Sequence, residues 1–112
     1  MTRHAFVIRL HPEQVERYCD LHRNAWPEVL QAIHEANLRN YTIFLAPIGG
    51  IPHLFSYYEY VGSDREADQA RMARQTIMTK WWEICGDCQT PIPERAQQGG
   101  WAPMEEVFRF DG

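Results

Sequence analysis

The stretch that decides the fold is residues 40–61, which read NYTIFLAPIGGIPHLFSYYEYV. Two β-prone runs, Asn40 to Leu45 and Phe55 to Val61, flank a central segment, and the second run is rich in aromatic residues. The central segment, Pro47 to Pro52, consists largely of proline and glycine, which are turn-forming residues. Two strands separated by such a turn form a β-hairpin, so the pattern predicts strands two and three of the chain.

One strand and a bent pair of helices are predicted before the hairpin. His4 to Leu10 has apolar side chains at every second position, which is typical of a strand. Pro12 suits the first turn of a helix. Because the residue before a proline avoids the helical region, Pro27 predicts a break near Asn24 to Trp26. The second helix is expected to run from Pro27 to about Asn37.

A helical region, a long loop and a last strand are predicted after the hairpin. Ser63 to Glu66 matches a capping box, with the serine at the cap and the glutamate three residues later. The helix is expected to pause near residues 74–75 and to resume as far as Cys85. Residues 86–100 show no periodicity and predict a loop, and Met104 to Phe110 predicts a fourth strand.

The resulting order, β-α-β-β-α-β, predicts the α+β class in its ferredoxin-like form, with one antiparallel sheet and helices on one face. A chain of 112 residues is expected to form a single domain over 1–112. The opposite face of the sheet would carry tyrosine, phenylalanine and isoleucine side chains. Since such a face is too apolar to remain in water, a homodimer packed sheet to sheet is expected.

Composition excludes several classes of function. The net charge is −4 and the basic residues are scattered, which argues against binding to nucleic acid. No apolar run approaches the roughly 18 to 20 residues of a membrane span, and the opening residues do not resemble a signal peptide. A cytoplasmic location without membrane association is therefore expected.

The cysteines predict neither a disulfide framework nor a metal site. The chain has 3 of them, Cys19, Cys85 and Cys88, and an odd, low number is typical of a reducing compartment. Cys85 and Cys88 form a C-x-x-C pattern, but a structural zinc site needs further ligands and no second pair exists. The pattern follows a helical stretch, unlike a thioredoxin-type motif. No cofactor and no metal are expected.

Tyr18, His22 and Trp26 are spaced by four residues, the spacing of neighbours on one helix face. A phenol beside an imidazole can hold a substrate hydroxyl, and histidine exchanges a proton near neutral pH. The alternative is that Tyr18 and Trp26 belong to the core and His22 is an ordinary helix residue, since such stripes usually pack inward.

The adjacent pair Trp81 and Trp82 is the second candidate feature. Neighbours on a helix point about 100° apart, so only one of the two can be central to the core. The other is free to line a cavity, where a tryptophan face packs against the apolar face of a sugar. Tyr41, at the start of the second strand, is expected either to bind a ligand or to pack on the sheet.

Taken together, these residues resemble the L-rhamnose mutarotase family, a family of dimeric ferredoxin-like α/β-barrels. The resemblance extends over nearly the whole chain. It is carried by the opening His-Ala-Phe-Val, Tyr18-x-x-x-His22-x-x-x-Trp26-Pro27-Glu28, Asn40-Tyr41-x-Ile43, Trp81-Trp82 and Glu106-Val107-Phe108.

The resemblance implies cofactor-free interconversion of the α and β anomers of a free 6-deoxyhexose, L-rhamnose. It assigns the proton-donor role to His22 and sugar-binding roles to Tyr18, Tyr41, Trp81 and Trp82. The glycine-proline hairpin and the stretch from Cys88 to Trp101 are longer than in the shorter family pattern, which makes L-fucose an alternative substrate. A dimeric α/β-barrel monooxygenase and a non-catalytic sugar sensor are alternatives from other classes, because fold does not fix function.

Overall fold

In the computed structural model, which describes residues 1–112, strands and helices follow in the expected order. The strands are β1 (Thr2–Leu10), β2 (Leu38–Ile48), β3 (Ile51–Tyr60), β4 (Gln89–Thr90) and β5 (Ala102–Met104). The helices are α1 (Val15–Arg23), α2 (Pro27–Glu35), α3 (Arg65–Ala73) and α4 (Thr76–Cys88). Short 3₁₀ turns occupy Pro12–Gln14 and Pro93–Arg95.

The strands form one antiparallel sheet in the order β2-β3-β1-β4, and β5 also pairs with β1. The short strands β4 and β5 both pair with the edge of β1 that lies opposite β3. Of the two, β4 pairs with Arg9 and Leu10, and β5 pairs with residues 5–7. Together they take the place of the single fourth strand in the predicted order. The predicted α+β class and ferredoxin-like arrangement are confirmed.

The hairpin is confirmed, with a tighter turn than the sequence predicted. Ile48 pairs with Ile51 and Pro47 with Pro52, so only Gly49 and Gly50 remain unpaired. Both glycines have positive φ angles, 59° and 79°. A two-residue turn with both angles positive has the twist of the strands it joins, and glycine adopts it at no steric cost. The strands therefore extend through both prolines.

The bend between α1 and α2 is where the sequence placed it, because Trp26 is extended, with ψ 135°, immediately before Pro27. The cap of α3 differs by one residue from the prediction. Asp64, not Ser63, accepts the backbone N–H of Ala67 at 3.1 Å. A carboxylate at this position also stabilises the positive end of the helix dipole.

The prediction of a last strand over Met104 to Phe110 is wrong. Only Ala102–Met104 pair with β1, and residues 105–112 have no regular structure. Apolar side chains in this segment find no cover within the chain: Val107, Phe108 and Phe110 are 89%, 81% and 75% exposed. Without burial on either face of the sheet, this segment gains little from continuing the ladder.

The core lies between the helices and one face of the sheet, called here the inner face. Alternate residues of the strands, such as Ile8 and Leu54, are buried there with Val29 of α2 and Met78 of α4. The opposite, outer face carries half-buried and exposed side chains, and Phe44 is 62% exposed. None of the helices is both long enough and apolar enough to cross a membrane.

Candidate active site

Helix α1 places Tyr18 and His22 one turn apart, with their rings stacked at 4.2 Å between centroids. His22 Nδ1 lies 2.8 Å from the backbone carbonyl oxygen of Tyr18. A carbonyl oxygen can only accept, so Nδ1 carries the proton and donates it. In the neutral imidazole, Nε2 is therefore left with a lone pair that accepts a proton.

Burial controls the charge of His22. Loss of solvation lowers the pKa of the imidazole from its ordinary value of 6.5, and the bond to the Tyr18 carbonyl offsets part of that effect. At neutral pH the ring is uncharged. This state suits an imidazole that takes a proton first and returns it afterwards.

Trp81 of α4 closes the cluster from the opposite side. Its ring meets His22 edge-on at 5.1 Å and Trp26 at 5.2 Å, and the residue is only 6% exposed. Trp82 makes no ring contact with them and is 42% exposed. The structure thus brings together Tyr18, His22 and Trp81 and leaves Trp82 at the surface, as the 100° step between helix neighbours requires.

The hydroxyl of Tyr18 has a partner that the sequence did not indicate. Gln89, in the two-residue strand β4, donates its amide N–H to Tyr18 Oη at 3.4 Å. Burial, followed by the nearby Cys85 thiol, raises the pKa of Tyr18 well above its ordinary value, so the phenol keeps its proton. Because the oxygen accepts from Gln89, that proton is free to be donated. Gln89 lies in a stretch without periodicity, and nothing in the sequence distinguishes it from its neighbours.

A β-bulge places Tyr41 on the inner face. Arg39 pairs with Glu59 and Thr42 with Tyr57, so Asn40 and Tyr41 together oppose one residue, Tyr58. In a regular ladder Tyr41 would stand opposite Tyr57 and point outward. Asn40 absorbs the extra residue with a positive φ of 52°, and its amide donates to Glu59 at 2.9 Å.

Tyr41 then packs against the ring of Tyr58 at 5.5 Å. The residue as a whole is 42% exposed. Burial of the hydroxyl, followed by the neighbouring Tyr58 and Cys85, raises the pKa of Tyr41 to about 12. Tyr41 in turn contributes to the raised pKa of Tyr18.

Metal-binding groups are dispersed. No group of three or more His, Cys, Asp or Glu side chains could hold a metal ion. Cys85 and Cys88 are free thiols at the end of α4. Burial raises the pKa of both, and that of Cys85 reaches about 12, so neither is a thiolate at neutral pH.

Two surface cavities lie apart from the rings of Tyr18, His22 and Trp81. One of about 330 Å³ is lined by His4, Phe6 and Arg65 together with the C-terminal segment. The other, of about 600 Å³, lies along the solvent side of α1. Neither is lined by Tyr18, His22 or Trp81, whose rings pack against one another.

Comparison with known proteins identifies the family of this chain. A family model described as L-rhamnose mutarotase matches residues 3–110. An L-rhamnose mutarotase of Lachnoclostridium phytofermentans is 30% identical over 111 residues, which is 99% of this chain and 100% of the relative. The crystal structure of an L-rhamnose mutarotase from Formosa agariphila superposes with a TM-score of 0.74 at 27% identity, covering 99% of this chain and 100% of that one.

A type II polyketide cyclase from Streptomyces glaucescens also superposes, with a TM-score of 0.71 at 15% identity over 100% of this chain and 99% of that one. At that identity the likeness shows the shared fold alone. The family match, by contrast, spans all the residues that form the ring cluster and the bulge. The chain belongs to the L-rhamnose mutarotase family.

Proposed function

We propose that this protein interconverts the α and β anomers of L-rhamnose. Membership of the family supports the substrate and the reaction. The observation that carries the mechanism is the bond from His22 Nδ1 to the Tyr18 carbonyl, which makes Nε2 the proton-accepting atom of a half-buried, neutral imidazole. Anomer exchange needs only a group that removes one proton and returns it.

The proposed reaction begins at the anomeric carbon, which bears both the ring oxygen and a hydroxyl. His22 Nε2 accepts the hydroxyl proton while the bond between the anomeric carbon and the ring oxygen breaks, which gives the open-chain aldehyde. The ring oxygen then takes the proton back from Nε2. Because both oxygens are bonded to the same carbon, one nitrogen serves both.

Ring closure reverses these steps after the carbonyl group has rotated. The open-chain hydroxyl returns its proton to Nε2 and attacks the other face of the carbonyl, and the new anomeric hydroxyl receives the proton. No proton is consumed over the cycle. His22 acts first as base and then as acid in each half, which includes the proton-donor role that the family resemblance implied.

The two phenols act as hydrogen-bond donors in this proposal and not as bases. Their raised pKa values keep them protonated, so neither accepts the sugar proton. Tyr18 donates to the oxygen region at the anomeric carbon, and Tyr41 orients a ring hydroxyl. Trp81 forms the apolar wall beside His22, and Trp82 forms its exposed rim, where the C6 methyl group can pack.

The test is saturation transfer between the anomeric protons of a free sugar, measured by NMR at a pH where spontaneous exchange is slow. L-rhamnose, L-fucose and D-glucose are compared with and without protein. We expect acceleration with L-rhamnose, a smaller effect with L-fucose and none with D-glucose. An unchanged exchange rate with all three sugars would remove the enzymatic function, and a preference for L-fucose would correct the substrate.

We also propose that the protein is a homodimer through its outer sheet face. Phe44 and Ile48 of β2 are 62% and 52% exposed, and the apolar residues of the C-terminal segment lie uncovered beside the sheet. A second copy of the same face is the complementary partner, because a two-fold dimer buries one patch against itself. Light scattering after size-exclusion chromatography should give twice the chain mass, and Phe44→Asp should give the single mass. A monomeric wild type would exclude this.

A cytoplasmic location is proposed from the thiols. Cys19, Cys85 and Cys88 are all free, which suits a reducing compartment. Fractionation of producing cells should recover the protein with cytoplasmic markers, and recovery with periplasmic or secreted proteins would contradict this.

A further inference from the structure

Tyr58 lies on the inner face of β3, and none of the sequence patterns singled it out as a site residue. It is 5% exposed and touches three other rings, those of Tyr41 at 5.5 Å, His4 at 5.3 Å and Phe6 at 5.8 Å. Its hydroxyl is near enough to that of Tyr41 to raise the pKa of that phenol. Tyr58 is thus the next phenol along the inner face from Tyr41.

Arg65, the first residue of α3, holds this hydroxyl. Its Nε lies 3.0 Å from Tyr58 Oη, and one of its terminal nitrogens donates to the same oxygen. The guanidinium lies within ion-pair distance of no carboxylate. A guanidinium has donors only, so the Tyr58 oxygen accepts both bonds and its own proton points elsewhere.

That proton has no acceptor in the chain, because both hydrogen bonds of the hydroxyl come from Arg65. A buried donor without an acceptor is costly and calls for a partner from outside the chain. The ring of Tyr41, the phenol assigned above to the sugar, packs against Tyr58 at 5.5 Å and marks the side on which such a partner would lie.

We propose that Tyr58 is a further sugar-binding residue, which donates its hydroxyl proton to a hydroxyl oxygen of the sugar ring beside Tyr41, and that Arg65 is its positioning residue. This inference rests on the proposed function. A monosaccharide has an acceptor oxygen on nearly every ring carbon, so a second phenol beside Tyr41 can donate a hydrogen bond to one more of these oxygens. The pair then contributes to the choice of sugar and takes no part in proton transfer.

A merely structural contact would behave differently. Arg65 also ties the first turn of α3 to β3, so its loss would lower thermal stability in either case. Binding is separated from folding by the comparison of sugars, because a structural defect cannot depend on which hydroxyl the substrate carries.

The experiment measures KM and kcat for anomer exchange with L-rhamnose and with its 2-deoxy, 3-deoxy and 4-deoxy forms. Wild type, Tyr58→Phe and the matched control Tyr57→Phe are compared. Tyr57 is adjacent in the same strand, points to the outer face and donates to Glu59 at 2.9 Å. We expect Tyr58→Phe to raise KM about 5-fold for L-rhamnose, with kcat little changed, and Tyr57→Phe to match wild type.

The deoxy sugars decide the inference. With one of them the KM ratio of Tyr58→Phe to wild type should return to about one, since the hydrogen bond is then already missing. Arg65→Met should reproduce the higher KM for L-rhamnose, and Arg65→Lys, which keeps one donor, should restore part of it.

The possible failures are distinguishable. A wild type that accelerates exchange of no sugar overturns the proposed function and this inference with it. An active wild type for which Tyr58→Phe leaves KM unchanged, or raises it equally with all four sugars, overturns the role of Tyr58 alone.

Discussion

His22 Nδ1 donates to the carbonyl oxygen of Tyr18 across 2.8 Å, within a single helix. The tautomer of the imidazole is therefore set by α1 itself and not by a side chain from another element. A backbone carbonyl cannot be removed by substitution and does not titrate. Since the unprotonated nitrogen is the reactive one in the proposed mechanism, the residue that supplies it is prepared before any sugar binds.

Removing the imidazole tests its role directly. His22→Ala is expected to slow anomer exchange by about 10²–10⁴-fold, because general acid–base catalysis contributes that much. Sugar binding, measured by quenching of tryptophan fluorescence, should remain within a few-fold of wild type. His34→Ala is the control, since His34 is an exposed helix histidine. Equal exchange rates for His22→Ala and wild type would remove His22 from the mechanism.

The dependence of exchange on pH follows from the protonation of His22. Burial lowers the pKa of this imidazole below 6.5, and its uncharged form is the active one. The protein-catalysed rate should therefore be level at neutral pH and fall as pH drops through a midpoint below 6.5. A midpoint above 6.5 would show that the charged form is needed.

The free energy of unfolding should also depend on pH through the protonation of His22. Below 6.5 the unfolded chain takes up a proton on His22 before the folded chain does, so its contribution to stability decreases as pH falls from 6.5 to the lowered pKa. Urea denaturation of wild type and His22→Gln at a series of pH values measures this. The difference between the two proteins should change across that window and stay constant above it.

Gln89 is expected to matter through Tyr18. Gln89→Leu removes the donor to the Tyr18 hydroxyl and leaves a buried oxygen free to rotate, which should lower kcat/KM by roughly 5-fold. Gln97→Leu, in an exposed part of the same long segment, should have no effect. In a Tyr18→Phe background the Gln89 substitution should change nothing further, and additive losses would show that the two residues act independently.

Substitutions of the two tryptophans are expected to affect folding stability and sugar binding to different extents. Trp81 is 6% exposed among His22 and Trp26, so Trp81→Ala should cost about 3–5 kcal/mol of unfolding free energy as well as affinity. Trp82 is 42% exposed, and Trp82→Ala should weaken sugar binding while costing less than about 1 kcal/mol. Urea denaturation and the KM for L-rhamnose measure the two quantities. Unchanged affinity in both variants would end the stacking proposal.

Features with a local cause were predictable from the sequence. Pro27 fixes the bend between the first two helices because of its ring, and Gly49 and Gly50 fix the turn because both need positive φ. The stacking of Tyr18 on His22 follows from helical spacing alone. These features depend on residues near one another in the chain.

Features with a distant cause were not predictable. Gln89 reaches Tyr18 across 71 positions, and Arg65 meets Tyr58 between a helix and a strand. The last strand ends at Met104 because nothing in the chain covers the apolar residues beyond it, although their alternation is typical of a strand. Spacing along the chain contains no information on such contacts.

The bulge at Asn40 has a consequence for anyone who aligns or redesigns this strand. Before the bulge, even-numbered residues of β2 such as Leu38 face the inner side of the sheet. After the bulge, odd-numbered residues such as Ile43 do. A regular ladder of the same residues would place Asn40 opposite Tyr58 and Tyr41 opposite Tyr57, so the Tyr41 phenol would lie on the outer face. Deleting Asn40 would instead remove the bulge and leave Tyr41 opposite Tyr58, because the residues on both flanks would keep their partners in β3. For this sequence, the bulge thus decides on which face of the sheet Tyr41 lies.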